Sequence, residues 1–180
     1  MSLAAIAVIG AGSWGTALAL QFARSGRPVR LWGRDREQMQ AMTDARANTR
    51  YLPDVPFPDN LAITADLEAC LVDARDVLGA VPSHGLRETL DRIAPLLSDD
   101  ARVCWATKGF ELTTGKLPHQ VAMEILGEDR PMAVLSGPTF ATEVGAGLPT
   151  AMTIAANDSA FASELAATIS GNTFRAYTSG

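Results

Sequence analysis

The sequence predicts an α/β protein built on a doubly wound, mostly parallel sheet with helices on both faces. Three observations carry this expectation. Short apolar runs of strand length alternate with segments of helical period along the whole chain, the pattern of βαβ units around a sheet buried on both sides. A glycine-rich turn, Gly10-Ala11-Gly12-Ser13-Trp14-Gly15, stands between the first such run and the first such helix. Hydrophobic residues make up 47% of the 180 residues and charged residues 19%, a balance that supports one compact core rather than a disordered chain.

Residues 4–9 are an unbroken apolar run and form the first strand, and 13–25 the helix after the glycine turn. A strand at 28–32 leads to a helix at 36–46, with Asp35 as its N-cap and Gln38 as the reciprocal partner three residues on. Residues 48–60 contain Pro53, Pro56 and Pro58, cannot continue a helix, and read as a rigid surface loop. Strands at 61–64 and 76–81 flank a helix at 66–73, and the next helix, 84–97, has Ser83 in front of it as a cap with Glu88 nearby. A strand at 102–106 releases into an irregular stretch, 108–116, with Gly109 and Gly115. The helix at 117–127 then puts Leu117, Val121 and Ile125 on its inner face. Strands at 132–136, 150–156 and 173–177 close the series, with helices at 138–144 and 159–170 between them. Met1 to Leu3 is left out of this reading.

The glycine turn has the GxGxxG pattern in the setting that gives it meaning, after a buried strand and at the mouth of a helix. Gly10 allows the tight turn, Gly12 lets backbone approach a pyrophosphate, and Gly15 lets helix and strand pack closely. The helix start adds unpaired amides and a partial positive charge. These features predict a Rossmann-type domain that binds a dinucleotide. About twenty residues on, where an acidic residue ordinarily holds the ribose of NAD, stands Gly33-Arg34-Asp35-Arg36. The Arg34 guanidinium suits a 2′-phosphate, which favours NADPH, with NAD as the other cofactor. In the competing reading Asp35 takes the ribose, and Arg34 and Arg36 are only solvated.

Other residues fall at predicted strand ends, the edge where such sheets bind ligands. His84, in Val81-Pro82-Ser83-His84, faces the nicotinamide half of the site but reads more simply as a solvated first-turn histidine. His119 has less claim. Lys108, where a strand meets a glycine loop, suits an anionic ligand. Gly137-Pro138-Thr139 opens a helix, with Pro138 in its first turn and free amides after Gly137, and marks a second anion-capable place, though Ser136 and Thr139 also suit ordinary capping. The spacing of Gly109, Gly115 and Lys116 does not fit a phosphate-binding P-loop. No metal constellation is present, nor a Ser-His-Asp or nucleophile-elbow pattern.

The formal net charge of −5, from 15 Lys plus Arg and 20 Asp plus Glu, argues against nucleic acid held by bulk charge. Only the first third of the chain is net positive, with 7 basic and 5 acidic residues. Cys70 and Cys104 form no CxxC pair and no disulfide framework, which fits a reducing cytoplasm. The apolar start is too short to span a bilayer and lacks the basic segment of a secretory signal.

Seven blocks of the chain, GAGSWGTALA at 10–19, LWGRD at 31–35, YLPDVPFPDNL at 51–61, VPSH at 81–84, WATKGFE at 105–111, SGPTFATEV at 136–144 and LPTA at 148–151, resemble the bacterial-type NAD(P)-dependent glycerol-3-phosphate dehydrogenases. The resemblance implies reduction of dihydroxyacetone phosphate to sn-glycerol 3-phosphate for phospholipid synthesis. It assigns Ser13, Trp14 and Arg34 to the dinucleotide, Lys108 to dinucleotide and substrate, Gly137 and Thr139 to the substrate, and Ala141 to the cofactor. It further implies that residues 1–180 are the dinucleotide-binding part of a longer two-domain enzyme with a helical C-terminal domain; a homodimer is one full-length arrangement, and the sequence does not reveal the oligomeric state. The lysine that donates a proton to the carbonyl oxygen is expected after Gly180, in a GGAxKN-like segment, so the chain by itself should not turn over. The alternatives are another two-domain reductase, of the ketopantoate or 6-phosphogluconate kind, or a dinucleotide-binding module without chemistry.

Overall fold

The computed structural model describes residues 3–179; Met1, Ser2 and Gly180 lie outside them. The elements follow in the order β1 (Ile6–Ile9), α1 (Ser13–Arg24), β2 (Val29–Trp32), α2 (Arg36–Ala45), β3 (Ala47–Asn48), β4 (Leu52–Pro56), β5 (Leu61–Thr64), α3 (Leu67–Leu71), β6 (Asp76–Gly79) and α4 (Ser83–Ile93). A short 3-10 turn, Ala94–Leu96, extends α4, and β7 (Arg102–Trp105), α5 (Pro118–Leu126), β8 (Met132–Ser136), α6 (Ala141–Gly145), β9 (Thr150–Ala156), α7 (Ser159–Ile169) and β10 (Phe174–Ser179) complete the chain.

Eight strands form one sheet in the order β10-β9-β8-β7-β6-β1-β2-β5. All neighbours are parallel except β8 and β9. The run β5-β2-β1-β6-β7-β8 is the doubly wound order of Rossmann-type domains, with its reversal point between β1 and β6. Strand β1 shows why the sheet is apolar on both faces: Ile6 and Val8 join one core and Ala7 and Ile9 the other, because successive side chains alternate. The first core is closed by Leu18, Leu20 and Phe22 of α1 and Phe161 and Leu165 of α7. The second is closed by Cys70 of α3, Leu86 and Leu90 of α4 and Val121 of α5. Each such fully buried large side chain contributes about 1.5–3 kcal/mol. Cys70 and Cys104 are free and buried, and burial pushes the Cys70 thiol up to about 12 and that of Cys104 higher.

Several sequence expectations are corrected. The proline-rich stretch 48–60 holds an antiparallel pair, β3 with β4, and its Asn48, Leu52 and Phe57 are buried. Pro53 and Pro56 fit there because a two-stranded pair leaves each strand an open edge that needs no amide donor. Ser83 is the first residue of α4 rather than its cap, a place taken by Pro82. Leu117 is the N-cap of α5 and 40% exposed, so Val121 and Ala122 carry that helix's inner face. Helix α6 begins at Ala141, three residues after Pro138, and is five residues long, too short to act as a helix-dipole site.

Strand reversal at β9 leaves the end of β8 and the start of β9 at one rim of the sheet, since Ser136 pairs with Thr153 and Ala133 with Ala156. The α6 connection therefore stays at that rim and packs on α1. Arg24, at the end of α1, donates to the carbonyls of Val144 (2.8 Å) and Gly145 in the last turn of α6, groups a helix end leaves without partners.

At the opposite rim lies a charge cluster. Asp76 is fully buried and accepts from Arg102 Nε at 2.6 Å and Nη2 at 3.0 Å and from Arg27 Nη2 at 2.5 Å. Arg102 reaches Glu164 at 2.6 Å and stacks over Phe161 at 4.5 Å. Burial works against the charge on Asp76, but the Arg102 hydrogen bonds and the Arg27 charge outweigh it and hold the carboxyl below its ordinary range.

Candidate functional site

The glycine turn sits at the reversal point of the sheet. Ile9 accepts from the Ala80 amide at 2.9 Å, which lashes the ends of β1 and β6 together. Gly10 has φ +118°, and a β-carbon on it would lie 2.5 Å from the Ala80 carbonyl oxygen. On Gly15 a β-carbon would lie 1.8 Å from the Gly10 carbonyl oxygen, so α1 comes down on the turn only because residue 15 has no side chain. Gly12 differs: a β-carbon there meets nothing within 4 Å, and φ −77°, ψ −169° is open to any residue. The bare face of the turn at Gly12 looks into open space, with Ser13 and Trp14 beginning the helix beside it.

Arg34 lies just past β2, exposed and without a hydrogen bond or ion pair among the described residues. Asp35 caps α2, its Oδ1 accepting from the amides of Glu37 and Gln38 at 3.0 and 3.1 Å. The expected reciprocal bond from Gln38 is replaced by another, in which Gln38 Nε2 donates to the Ala11 carbonyl at 3.2 Å.

Lys108 leaves the end of β7 and reaches back across the rim. Its Nζ is 5.8 Å from the centre of the Trp14 ring and 3.4 Å from the Gly137 carbonyl oxygen. Two nearby polar atoms are buried with no partner, Trp14 Nε1 and Thr139 Oγ1, and Thr139 is only 9% exposed. Leaving such a group unpaired costs about 1–3 kcal/mol. Ala141, at the start of α6, packs half-buried on the same core. Trp14, Lys108, Gly137 and Thr139, read from separate stretches of sequence, thus come together. A cavity of about 350 Å³ opens beside Lys108, lined by Thr107, Phe110, His119 and Ser136 among others. His119 therefore lies closer to Lys108's surroundings than its sequence context suggests, while His84 is exposed on the first turn of α4.

The loop carrying Lys108 is pinned. Glu111 receives Arg87 Nε at 2.6 Å and Nη2 at 2.9 Å, and the Thr114 hydroxyl bonds it too. Its amide donates to the Lys116 carbonyl at 2.8 Å. The Arg87 hydrogen bonds, aided by Thr114, bring the Glu111 carboxyl down to about 2, and Arg87 is raised in turn. Glu124 completes the group by accepting from Arg87 at 2.9 Å and from Lys116. Sequence reading passed over Glu111, Arg87 and Asn48 because each acts through a partner distant in the chain. The one local signal was Glu111's place three residues after Lys108. Among the described residues no cluster of side chains suits a metal ion, and no helix is long and apolar enough to cross a membrane.

Residues 5–162 match the model of the NAD-dependent glycerol-3-phosphate dehydrogenase N-terminus. The chain belongs to this family. A curated relative, glycerol-3-phosphate dehydrogenase [NAD(P)+] of Nitrosococcus oceani, is 54% identical over 172 residues, 96% of this chain and 50% of its own length. That of Tolumonas auensis is 52% identical over 178 residues, 98% of this chain and 53% of its own. The solved glycerol-3-phosphate dehydrogenase of Coxiella burnetii superposes with a TM-score of 0.94 at 44% identity, covering 98% of this chain and 54% of that one. The chain spans about half the length of the curated relatives it matches. Family membership sets aside the ketopantoate-type and 6-phosphogluconate-type readings.

Proposed function

We propose that the chain is the dinucleotide-binding half of a glycerol-3-phosphate dehydrogenase, with NADPH as the preferred cofactor, NAD as the second, and dihydroxyacetone phosphate as substrate. The observation that carries the reading is the convergence on one rim of an open Gly12 backbone, the Lys108 ammonium, and two buried polar atoms without partners. A dinucleotide fits these residues: the unhindered face at Gly12 admits a phosphate against backbone amides, and the Trp14 and Thr139 donors await acceptors.

When bound, the nicotinamide supplies the hydride that reduces the substrate carbonyl. The chain's residues do the rest of the positioning. Gly10, Gly12, Ser13, Trp14 and Gly15 would hold the pyrophosphate side, and Ala141 would contact the cofactor. Arg34, exposed and uncommitted, grips a 2′-phosphate while Asp35 stays occupied as a cap. Lys108 neutralises anionic groups of dinucleotide and substrate, with Gly137 and Thr139 fixing the substrate beside it; charge placed in advance is worth most where water is excluded. The proton that completes the alcohol comes from a lysine outside residues 1–180. In this reading the chain is the N-terminal domain of a cytoplasmic, homodimeric two-domain enzyme, and its two buried, unpaired thiols suit that compartment. Titration calorimetry with NADPH and NADH tests the cofactor assignment: NADPH should bind at least tenfold more tightly, and equal affinities would refute the part given to Arg34.

A further inference from the structure

The Ala11 carbonyl, in the middle of the glycine turn, is held by two side chains from two other elements. Asn48 Nδ2 of β3 and Gln38 Nε2 of α2 each donate to it at 3.2 Å, and a carbonyl oxygen has two lone pairs to offer. Asn48 is fully buried, gives its second Nδ2 proton to Thr16 Oγ1 at 2.8 Å and accepts from the Tyr51 amide at 3.3 Å on Oδ1. Its amide group therefore has no freedom to turn.

The peptide joining Ala11 to Gly12 is planar and trans, so its carbonyl and its N–H point in opposite directions. Fixing the Ala11 oxygen toward β3 and α2 aims the Gly12 N–H away from them, and that N–H has no partner among the described residues. Donation to the carbonyl also polarises the peptide and makes its N–H a stronger donor.

We infer that Asn48 and Gln38 are positioning residues for phosphate binding: they fix the Ala11–Gly12 peptide plane so that the Gly12 N–H is presented, already oriented, to an anionic phosphate. The inference rests on the dinucleotide reading above. It also gives the β3–β4 pair a task, since that pair carries the buried Asn48 to the underside of the turn, and it links α2, which begins beside Arg34, to the same peptide.

The test is calorimetry on the full chain with two probes, NADPH and adenosine 2′-monophosphate, which keeps the ribose phosphate and lacks the pyrophosphate. Asn48→Leu keeps the size and removes the donors. Gln38→Leu does the same at a half-buried position outside the core. A neutral hydrogen bond is worth about 0.5–1.5 kcal/mol, or roughly 3–10-fold in affinity. NADPH should weaken by about that factor in each variant while adenosine 2′-monophosphate changes less than about twofold. Loss of affinity for both probes alike, or unchanged NADPH binding, would overturn the inference; if Asn48→Leu fails to fold, Gln38→Leu decides. Failure of the unsubstituted chain to bind NADPH would overturn the dinucleotide reading and the inference with it.

Discussion

Gly12→Ala and Gly15→Ala change the same atom count three residues apart and should separate binding from folding. At Gly12 the new β-carbon meets nothing within 4 Å and the backbone already has angles open to alanine. Replacing glycine where the backbone permits it stabilises by about 0.4–1 kcal/mol through the unfolded chain. The melting temperature should thus hold or rise by about 1–4 °C for a chain of this size. A phosphate drawn against the Gly12 amide would meet the same methyl, so NADPH affinity should fall by roughly a hundredfold, the equivalent of losing about one hydrogen bond to a charged group. At Gly15 the β-carbon would stand 1.8 Å from the Gly10 carbonyl oxygen, far inside contact, and α1 must lift off the turn. Overpacking of this kind costs about 1–3 kcal/mol, a fall of about 3–10 °C. Thermal melts followed by calorimetry read both effects. Wild-type NADPH affinity in Gly12→Ala would refute the argument that a phosphate lies over that residue.

Arg34→Ala should cost NADPH roughly tenfold or more in affinity and leave NADH nearly unchanged, because a charge-assisted hydrogen bond worth about 1.5–3 kcal/mol is lost only with the 2′-phosphate; equal losses would reassign Arg34. Asp76→Asn leaves two buried guanidiniums facing a neutral amide and should destabilise by about 3–5 kcal/mol, measured by urea unfolding, with dinucleotide affinity unmoved in the folded protein. Glu111 and Asp76 both titrate below their ordinary ranges when folded. Their contribution is complete above the unfolded carboxylate values and fades as the pH drops, for Glu111 between 4.5 and about 2. Urea midpoints from pH 6 to pH 2.5 should show that loss, with a smaller acid sensitivity in Glu111→Gln. The chain by itself, given NADPH and dihydroxyacetone phosphate, should oxidise no NADPH; turnover on the order of 10 per second would place the proton donor within these residues.

Much of the sheet was legible because its signal is local. Most strands of the main sheet lie where an apolar run meets turn residues, and residues 150–156 form β9 as read. The glycine turn was legible for the same reason, since strand, turn and helix are consecutive. What escaped depends on partners far along the chain. Three prolines in thirteen residues speak for a loop, yet burial of Leu52 and Phe57 against α1 and its surroundings outweighs them and draws out β3 and β4. Asp76 and Arg102 begin strands 26 residues apart, and only the register β6 to β7, which sets them side by side, turns them into an ion pair. Gln38 has the spacing of a capping partner, but its amide reaches instead to the Ala11 carbonyl, 27 residues back in the chain, a contact that only the packing of α2 beside the glycine turn creates.

Arg24 ties the two walls of the candidate cleft into one body. The glycine turn begins α1, the Gly137 stretch leads into α6, and the guanidinium at the far end of α1 holds the final carbonyls of α6. A change in the spacing of those walls would have to break or stretch both bonds, so the two sides of the cleft are coupled through an arginine that touches neither the glycine turn nor the Gly137 stretch.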